Sequence, residues 1–250
     1  VTGTDPIGAG LHRRRSHPLV FVADLESPEL DEDDHHHLSR SLRVRADDTI
    51  TVCDGEGRWR SARFGRRPVP ESDIVVEPVG RRWGVGFALA KGDRPELVVQ
   101  KLTELGADLI VPVVTERTVV RWTEDKIDRH HRRHERIARE AAMQSRRVRL
   151  PRVGRVRPLN EVLNRFPRTV LADPAGPSWV MTGGDGDGPM PLVVVGPEGG
   201  FSDEERSERP LVRLPGGILR TETAAIAVGV LLAMESMIVE PPTGGSKAAH

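Results

Sequence analysis

Apolar positions along this chain fall into short unbroken runs separated by stretches of helical period. Leu192 to Val195 (LVVV) is one such run, ended by Gly196-Pro197, and has the pattern of a strand buried on both faces. Val85 to Ala90, Leu109 to Val114, Thr169 to Ala172 and Leu211 to Leu214 read the same way. Pro112 inside the second of these predicts a bulge or a strand end there, because proline gives no hydrogen to a ladder. Between the runs lie helices. Pro95 suits a first helical turn, Leu97, Val98, Leu102 and Leu105 recur at helical spacing, and Gly106 is a stop signal. A long helix is expected from Thr123 to about Ser145, and a short one ending over Val162 to Phe166. The helix Ala224 to Met234 is apolar nearly all round, so it should be buried in a core or a subunit interface. Strands alternating with helices predict an α/β fold, a parallel sheet with helices on both faces. Ligands of such sheets sit at the strands' C-terminal ends, here Leu171-Ala172-Asp173, Gly196 to Gly200 and Leu214 to Arg220.

The N-terminal part has a different pattern. Val20 to Ala23, Thr49 to Cys53, Arg58 to Phe64 and Ile74 to Val79 are short strands, and Asp54-Gly55-Glu56-Gly57 is a hairpin loop by composition. Asp33-Asp34 is positioned to cap a helix from His35 to Arg43. The expected organisation is a small β-rich domain at 18–80, an α/β domain at 81–240, and disordered ends at 1–17 and 241–250. Gly176 to Pro191 reads as a flexible loop, and its GGDGDG lacks the spaced ligands and distal glutamate of a calcium loop.

Charge changes the picture locally. The 37 basic and 37 acidic side chains cancel, yet residues 24–34 carry seven acids and no Lys or Arg, and residues 129–157 carry eleven arginines against two glutamates. The basic run reads either as a solvated helix or as a phosphate-contacting face reaching Arg146, Arg147 and Arg149; the second reading points to RNA. There is no tyrosine to build an aromatic base platform, which suits recognition of folded RNA by shape and phosphates. Consecutive histidines at His35-His36-His37 point in different directions on a helix, and no HExxH surrounds His130 and His134, so no metal is expected. The single cysteine, Cys53, excludes an internal disulfide and suits a reducing cytoplasm. No apolar run approaches the length of a membrane span.

The densest chemistry lies in GPEGG, Gly196 to Gly200. It has no lysine and is neither a P-loop nor a G-x-G-x-x-G fingerprint. A carboxylate, Glu198, inside a glycine-rich cradle argues for a cationic or hydrogen-bond-donating ligand, and S-adenosylmethionine suits it better than ATP or NAD. Ser202-Asp203-Glu204-Glu205 has the spacing of a capping box for the helix that follows. A second half repeats the plan, with Pro215-Gly216-Gly217 as the turn and Thr221 or Thr223 as a candidate N-cap.

GPEGGFSDEE followed by ILRTETAAIA resembles the RsmE family of 16S ribosomal RNA uridine methyltransferases, of the SPOUT class. KGDRPELVVQKLTELGADLIVPVVTERTVV and HLSRSLRVRADDTITVCDGEGRWRSA are similar to its central block and its N-terminal domain, so the likeness covers most of the chain. The resemblance implies a parallel sheet tied in a trefoil knot, an N-terminal PUA-like barrel that contacts RNA, a homodimer, and methylation of a uridine ring nitrogen in 16S rRNA. It implies that backbone groups of Leu171, Gly196, Gly200, Leu214 and Leu219 hold the adenine and ribose. Ala172, Pro197, Glu198, Gly199 and Gly216 complete those loops, and Arg220, Thr221, Thr223 and Ala224 open the last helix at the cofactor. Arg220 is the catalytic candidate for charge on the uracil oxygens, with Glu222 as a competing structural partner; Glu198 either accepts the imide proton or orders the loop. Arg43, Lys91 and Arg94 join Arg146, Arg147 and Arg149 as RNA-contact candidates. One departure stands out: the family's Leu-Gly-x-Arg is Leu214-Pro215-Gly216-Gly217 here, which leaves a non-catalytic RNA-binding protein with a degenerate cofactor site as the alternative.

Overall fold

The computed structural model describes residues 17–180 and 190–238. The segments expected to be disordered, 1–17 and 241–250, lie outside the described residues save for His17, and so does most of the loop from Gly176 to Pro191, GGDGDG included. Among the described residues, contacts separate two units: 17–79 with 135–151, and 80–134 with 152–238.

The first unit holds β1 (Leu19–Phe21), β2 (Thr49–Cys53), β3 (Arg58–Arg63), β4 (Val69–Pro70) and β5 (Val75–Val76). Their order is β1-β2-β3-β4, with β5 also on β3. β2 and β3 form the expected antiparallel hairpin across residues 54–57, with Cys53 opposite Trp59, while the strand expected over Ile74 to Val79 shrinks to β5. Helix α1 (Glu32–His36) continues as a π-helical turn, His37–Ser41. Its cap is Asp31 rather than Asp33 or Asp34: Asp31 is extended, and its carboxylate accepts from the Asp34 amide at 2.7 Å. Asp34 instead turns inward and pairs with Arg139; burial pushes its carboxyl pKa up and the guanidinium opposes that shift. The core joins Leu19, Val20, Ile50, Val52 and Trp59 to Ala142, Met143 and Val148. Those last three explain why 135–151 belongs to this unit: a segment reading as basic carries apolar side chains at its helix end and just beyond that join this core.

The second unit holds β6 (Gly84–Ala88), α2 (Arg94–Leu105), β7 (Leu109–Val114), β8 (Arg152–Val153), β9 (Arg157–Pro158), α4 (Leu159–Arg165), β10 (Thr169–Ala172), β11 (Leu192–Val195), α5 (Asp203–Ser207), β12 (Leu211–Val212) and α6 (Thr221–Ile238). Helix α3 (Glu124–Gln144) starts in this unit and ends in the first. Strand order is β12-β10-β11-β6-β7-β8 with β9 also on β7, and every pairing is parallel. From β10 the chain moves inward to β11, then back past β10 to β12.

Pro112 makes neither a bulge nor a strand end. It pairs with Phe87 inside β7, and its missing N–H falls on the other side, where β8 pairs only Leu109 and Ile110 and β9 only Val113 and Val114. The ladder is interrupted where proline could not have contributed. Gly106 ends α2 in the left-handed conformation, φ 99°, as its position predicts. Helix α6 packs on α2 and β6, with Gly229 set against Leu102 and Leu105 and with Ala225, Val228 and Leu232 buried, while Val230, Met234 and Met237 form an exposed stripe at i, i+4, i+7. The all-round apolar character thus resolves into a covered face and an uncovered one.

Candidate active site

A cavity of about 400 Å³, within the range of small-molecule sites, opens over the C-terminal ends of β10, β11 and β12. Ala172, Asp173 and Pro174 leave β10; Val195 to Glu198, Gly200 and Phe201 leave β11; Arg213, Leu214 and Gly216 to Thr221 follow β12; Ala224 closes it from α6. The sequence-derived candidates Ala172, Gly196, Pro197, Glu198, Gly200, Leu214, Gly216, Leu219, Arg220, Thr221 and Ala224 all line it. Three others do not. Leu171 is fully buried in the sheet core, its amide donating to the Pro210 carbonyl. Gly199 faces Arg117, which donates to its carbonyl at 3.1 Å. Thr223 is exposed on the far side of the first turn of α6.

Neither threonine caps α6. Thr221 is buried, and its hydroxyl donates to the Gly196 carbonyl at 3.1 Å, tying the two glycine-rich loops together. Ser202 forms the expected capping box: its oxygen accepts from the Glu205 amide, and Glu205 accepts from the Ser202 amide. The other Glu205 oxygen accepts from the Glu116 amide at 2.9 Å, so the loop after β7 braces the same segment. Glu198 is gripped by Arg94 at 2.9 Å, and the Arg94 Nε lies 3.6 Å from Glu222. The guanidinium expected on RNA is therefore engaged within the site. Arg220 is exposed at the rim and makes no side-chain hydrogen bond or ion pair among the described residues, so the Arg220–Glu222 pairing does not form.

The residues present fit S-adenosylmethionine. A Cβ on Gly200, Gly216 or Gly217 would meet nothing within 4 Å, so these glycines face open space that side chains would fill. A carboxylate, Glu198, and two guanidiniums, Arg213 and Arg220, line the same cavity. Gly217 therefore leaves open the space that the family's arginine would take, and Arg213, which donates to the Ser178 hydroxyl at 2.9 Å, supplies a cation to the cavity just before the turn. Sequence reasoning passed over Asp173, although it named the strand end that carries it. That carboxylate is buried, accepts from the Ala175 amide at 2.9 Å and lies 4.0 Å from Arg206.

The arginine-rich run is less free than its composition suggests. Arg133 pairs with Glu96, Arg139 with Asp34, Arg155 with Glu124 and Asp128, and Arg157 with Glu161, acids all but one of which lie before residue 129. Arg149 donates to the carbonyls of Glu56 and Glu77, holding the β2–β3 hairpin loop. Arg146 is half-buried beside a separate cavity of the first unit that Arg136, Arg139 and His37 also line, and burial lowers its pKa. Arg43 and Lys91 are exposed, as are Arg40 and Arg45. His35 stacks on Phe64, and among the described residues no three His, Cys, Asp or Glu side chains converge on a metal position.

A parallel sheet with a glycine-lined cleft over its strand ends stands in one chain with a small β unit, and both parts match known families of RNA-modifying proteins. Residues 79–233 match the RNA methyltransferase domain model, and residues 30–67 match the RNA methyltransferase PUA domain model. The chain is 33% identical to the ribosomal RNA small subunit methyltransferase E of Mycobacterium tuberculosis over 81% of its own length and 86% of that protein. With the Bacillus subtilis protein of the same name it shares 31% over 76% and 83%. The Neisseria gonorrhoeae enzyme bound to S-adenosyl methionine superposes with a TM-score of 0.72 at 26% identity, over 89% and 98% of the two chains. A putative methyltransferase from Legionella pneumophila with SAM bound gives 0.75 at 25%, over 88% and 98%. This chain belongs to the ribosomal RNA small subunit methyltransferase E family, RsmE.

Proposed function

We propose that this protein transfers the methyl group of S-adenosylmethionine to ring nitrogen 3 of a uridine in the 16S rRNA of the small ribosomal subunit. The observation that carries the reading is the cleft itself: glycine-lined space at three strand ends, a carboxylate in its wall and, at its rim, a guanidinium with no side-chain partner among the described residues. When bound there, the cofactor supplies an electrophilic methyl on a sulfonium. The backbone of Gly196 to Gly200 and Leu214 to Leu219 would hold it, and Glu198 offers charge opposite to the sulfonium and amino group. The uridine nitrogen bears an imide proton and would attack as that proton passes to a base, Glu198 or water; the negative charge this leaves spreads over the flanking carbonyl oxygens and is discharged when the methyl is transferred and the neutral thioether departs. Arg220, with a planar fork and no side-chain partner among the described residues, is the candidate to meet that charge. Unmodified small subunits incubated with labelled cofactor, followed by mass spectrometry of RNA fragments, should show one methyluridine; label confined to another base would overturn the assignment.

The same reading gives a cytoplasmic homodimer. Supporting the dimer is the exposed stripe Val230, Met234 and Met237, and supporting the compartment is Cys53, buried, in no disulfide and donating to the Val20 carbonyl at 3.4 Å. Sedimentation at micromolar concentration should show a dimer, and Met234→Glu with Met237→Glu should shift it to monomer. The inward-then-outward path from β10 to β11 to β12 supports the knotted connection of the SPOUT class.

RNA affinity should fall steeply with salt. Arg40, Arg43 and Arg45, exposed and without ion pairs among the described residues, should carry a share of that dependence. Replacing all three by glutamine should flatten the log–log slope by about 2, at roughly 0.7 to 0.9 per phosphate contact. Arg149→Gln should instead lower the melting temperature and leave the slope in place, because its guanidinium holds two carbonyls. A slope insensitive to the triple change would assign these arginines to solvent.

A further inference from the structure

We infer that Arg94 is a positioning residue of the cofactor cradle, acting through Glu198; the inference rests on the methyltransferase reading of the cleft. Arg94 opens α2, outside both glycine-rich motifs, and its guanidinium spans two carboxylates from different segments. Nη1 donates to Glu198 Oε1 at 2.9 Å, and Nε lies 3.6 Å from Glu222 Oε1. Glu222 is largely buried at the start of α6, and its other oxygen, Oε2, has no hydrogen-bond partner among the described residues. Two carboxylates converging on one place repel unless a cation stands between them, and an unpaired buried carboxylate is costly. Arg94 meets both needs with two edges of one rigid fork, something an ammonium on a flexible stem cannot do.

The consequence reaches the ligand. Glu198 projects from a loop whose glycines impose little conformation of their own. Two contacts fix that loop to α6: the Thr221 hydroxyl on the Gly196 carbonyl, and Arg94 on Glu198 and Glu222. Arg94 thus holds the cradle closed and keeps Glu198 at the cavity wall, where an anion complements a cationic cofactor. Arg94 acts before chemistry, on cofactor affinity, and not on the methyl-transfer step.

The test is calorimetric binding of S-adenosylhomocysteine and S-adenosylmethionine to the full-length protein, with steady-state methylation of small subunits beside it. Arg94→Gln and Glu198→Gln should each weaken cofactor binding about tenfold. The double variant should bind no more weakly than the worse single variant, because both changes break one contact. The KM for cofactor should rise by the same factor while kcat falls less than threefold, and Arg94→Lys should recover part of the affinity. Glu222→Gln combined with Arg94→Gln removes the unpaired carboxylate, so it should restore the melting temperature and leave the affinity loss in place. Wild-type affinity in Arg94→Gln, or losses that multiply in the double variant, would overturn the inference. Wild-type protein that binds neither cofactor form would instead overturn the methyltransferase reading.

Discussion

Arg220→Lys is expected to slow single-turnover methylation of small ribosomal subunits by about 100-fold, the scale of removing one donor from a developing oxyanion. The melting temperature and cofactor affinity should barely change. Lysine keeps the charge but loses the fork that can address a carbonyl edge through two N–H groups. The structural alternative, an Arg220–Glu222 pair, predicts a lower melting temperature with normal turnover of the folded enzyme. The geometry disfavours it, since Glu222 faces Arg94 at 3.6 Å and Arg220 is exposed at the cavity rim. Near-normal turnover in the lysine variant would remove Arg220 from the catalytic role.

Acid is expected to destabilise the protein through His134. This imidazole is 1% exposed on the covered face of α3, and burial, helped by the charges of His130, His131 and Arg133, holds its pKa down at about 4 against 6.5 for a free histidine. The folded state therefore keeps His134 neutral where the unfolded chain protonates it. The stabilisation is complete above pH 6.5 and is lost as pH falls toward 4. Between about pH 7 and pH 5 the loss is roughly 2 kcal/mol. Urea denaturation of wild type and His134→Gln at both pH values measures it. The variant starts lower but should lose less on acidification; equal losses would show that other groups drive the acid limb. His130 stacks on Trp122 at a centroid distance of 4.1 Å and ring-packs against His134, so its variant makes a useful second control.

Local order and chemistry could be read before the structure because they depend on neighbours in sequence. The four-residue run at Leu192 to Val195 has the pattern of a doubly buried strand and forms one, and Ser202 with Glu205 could satisfy a helix start by themselves. The same holds for the hairpin at 54–57 and the stop at Gly106. Where the outcome turned on a distant partner, sequence reasoning missed. The caps assigned to Thr221 and Thr223 failed because Thr221 found the Gly196 carbonyl, 25 residues away, and Asp34 left its helix start for Arg139.

Sequence by itself determined the alternation that makes a parallel sheet, the glycine-rich loops at its strand ends, and the presence of Glu198 and Arg220 in them, because each follows from residue type and short spacing. Tertiary structure decided which charges are free. Eleven arginines in 29 residues look like an RNA-binding face until Glu96, Asp34, Glu124, Asp128 and Glu161 arrive from elsewhere in the chain to neutralise several of them. It also decided that Arg94 meets Glu198 and Glu222 and that Arg220 has no side-chain partner among the described residues. The reason is physical: a helix or a turn is settled by hydrogen bonds within a few residues, whereas the role of a long charged side chain depends on which opposite charge the folded chain brings within about 4 Å of it.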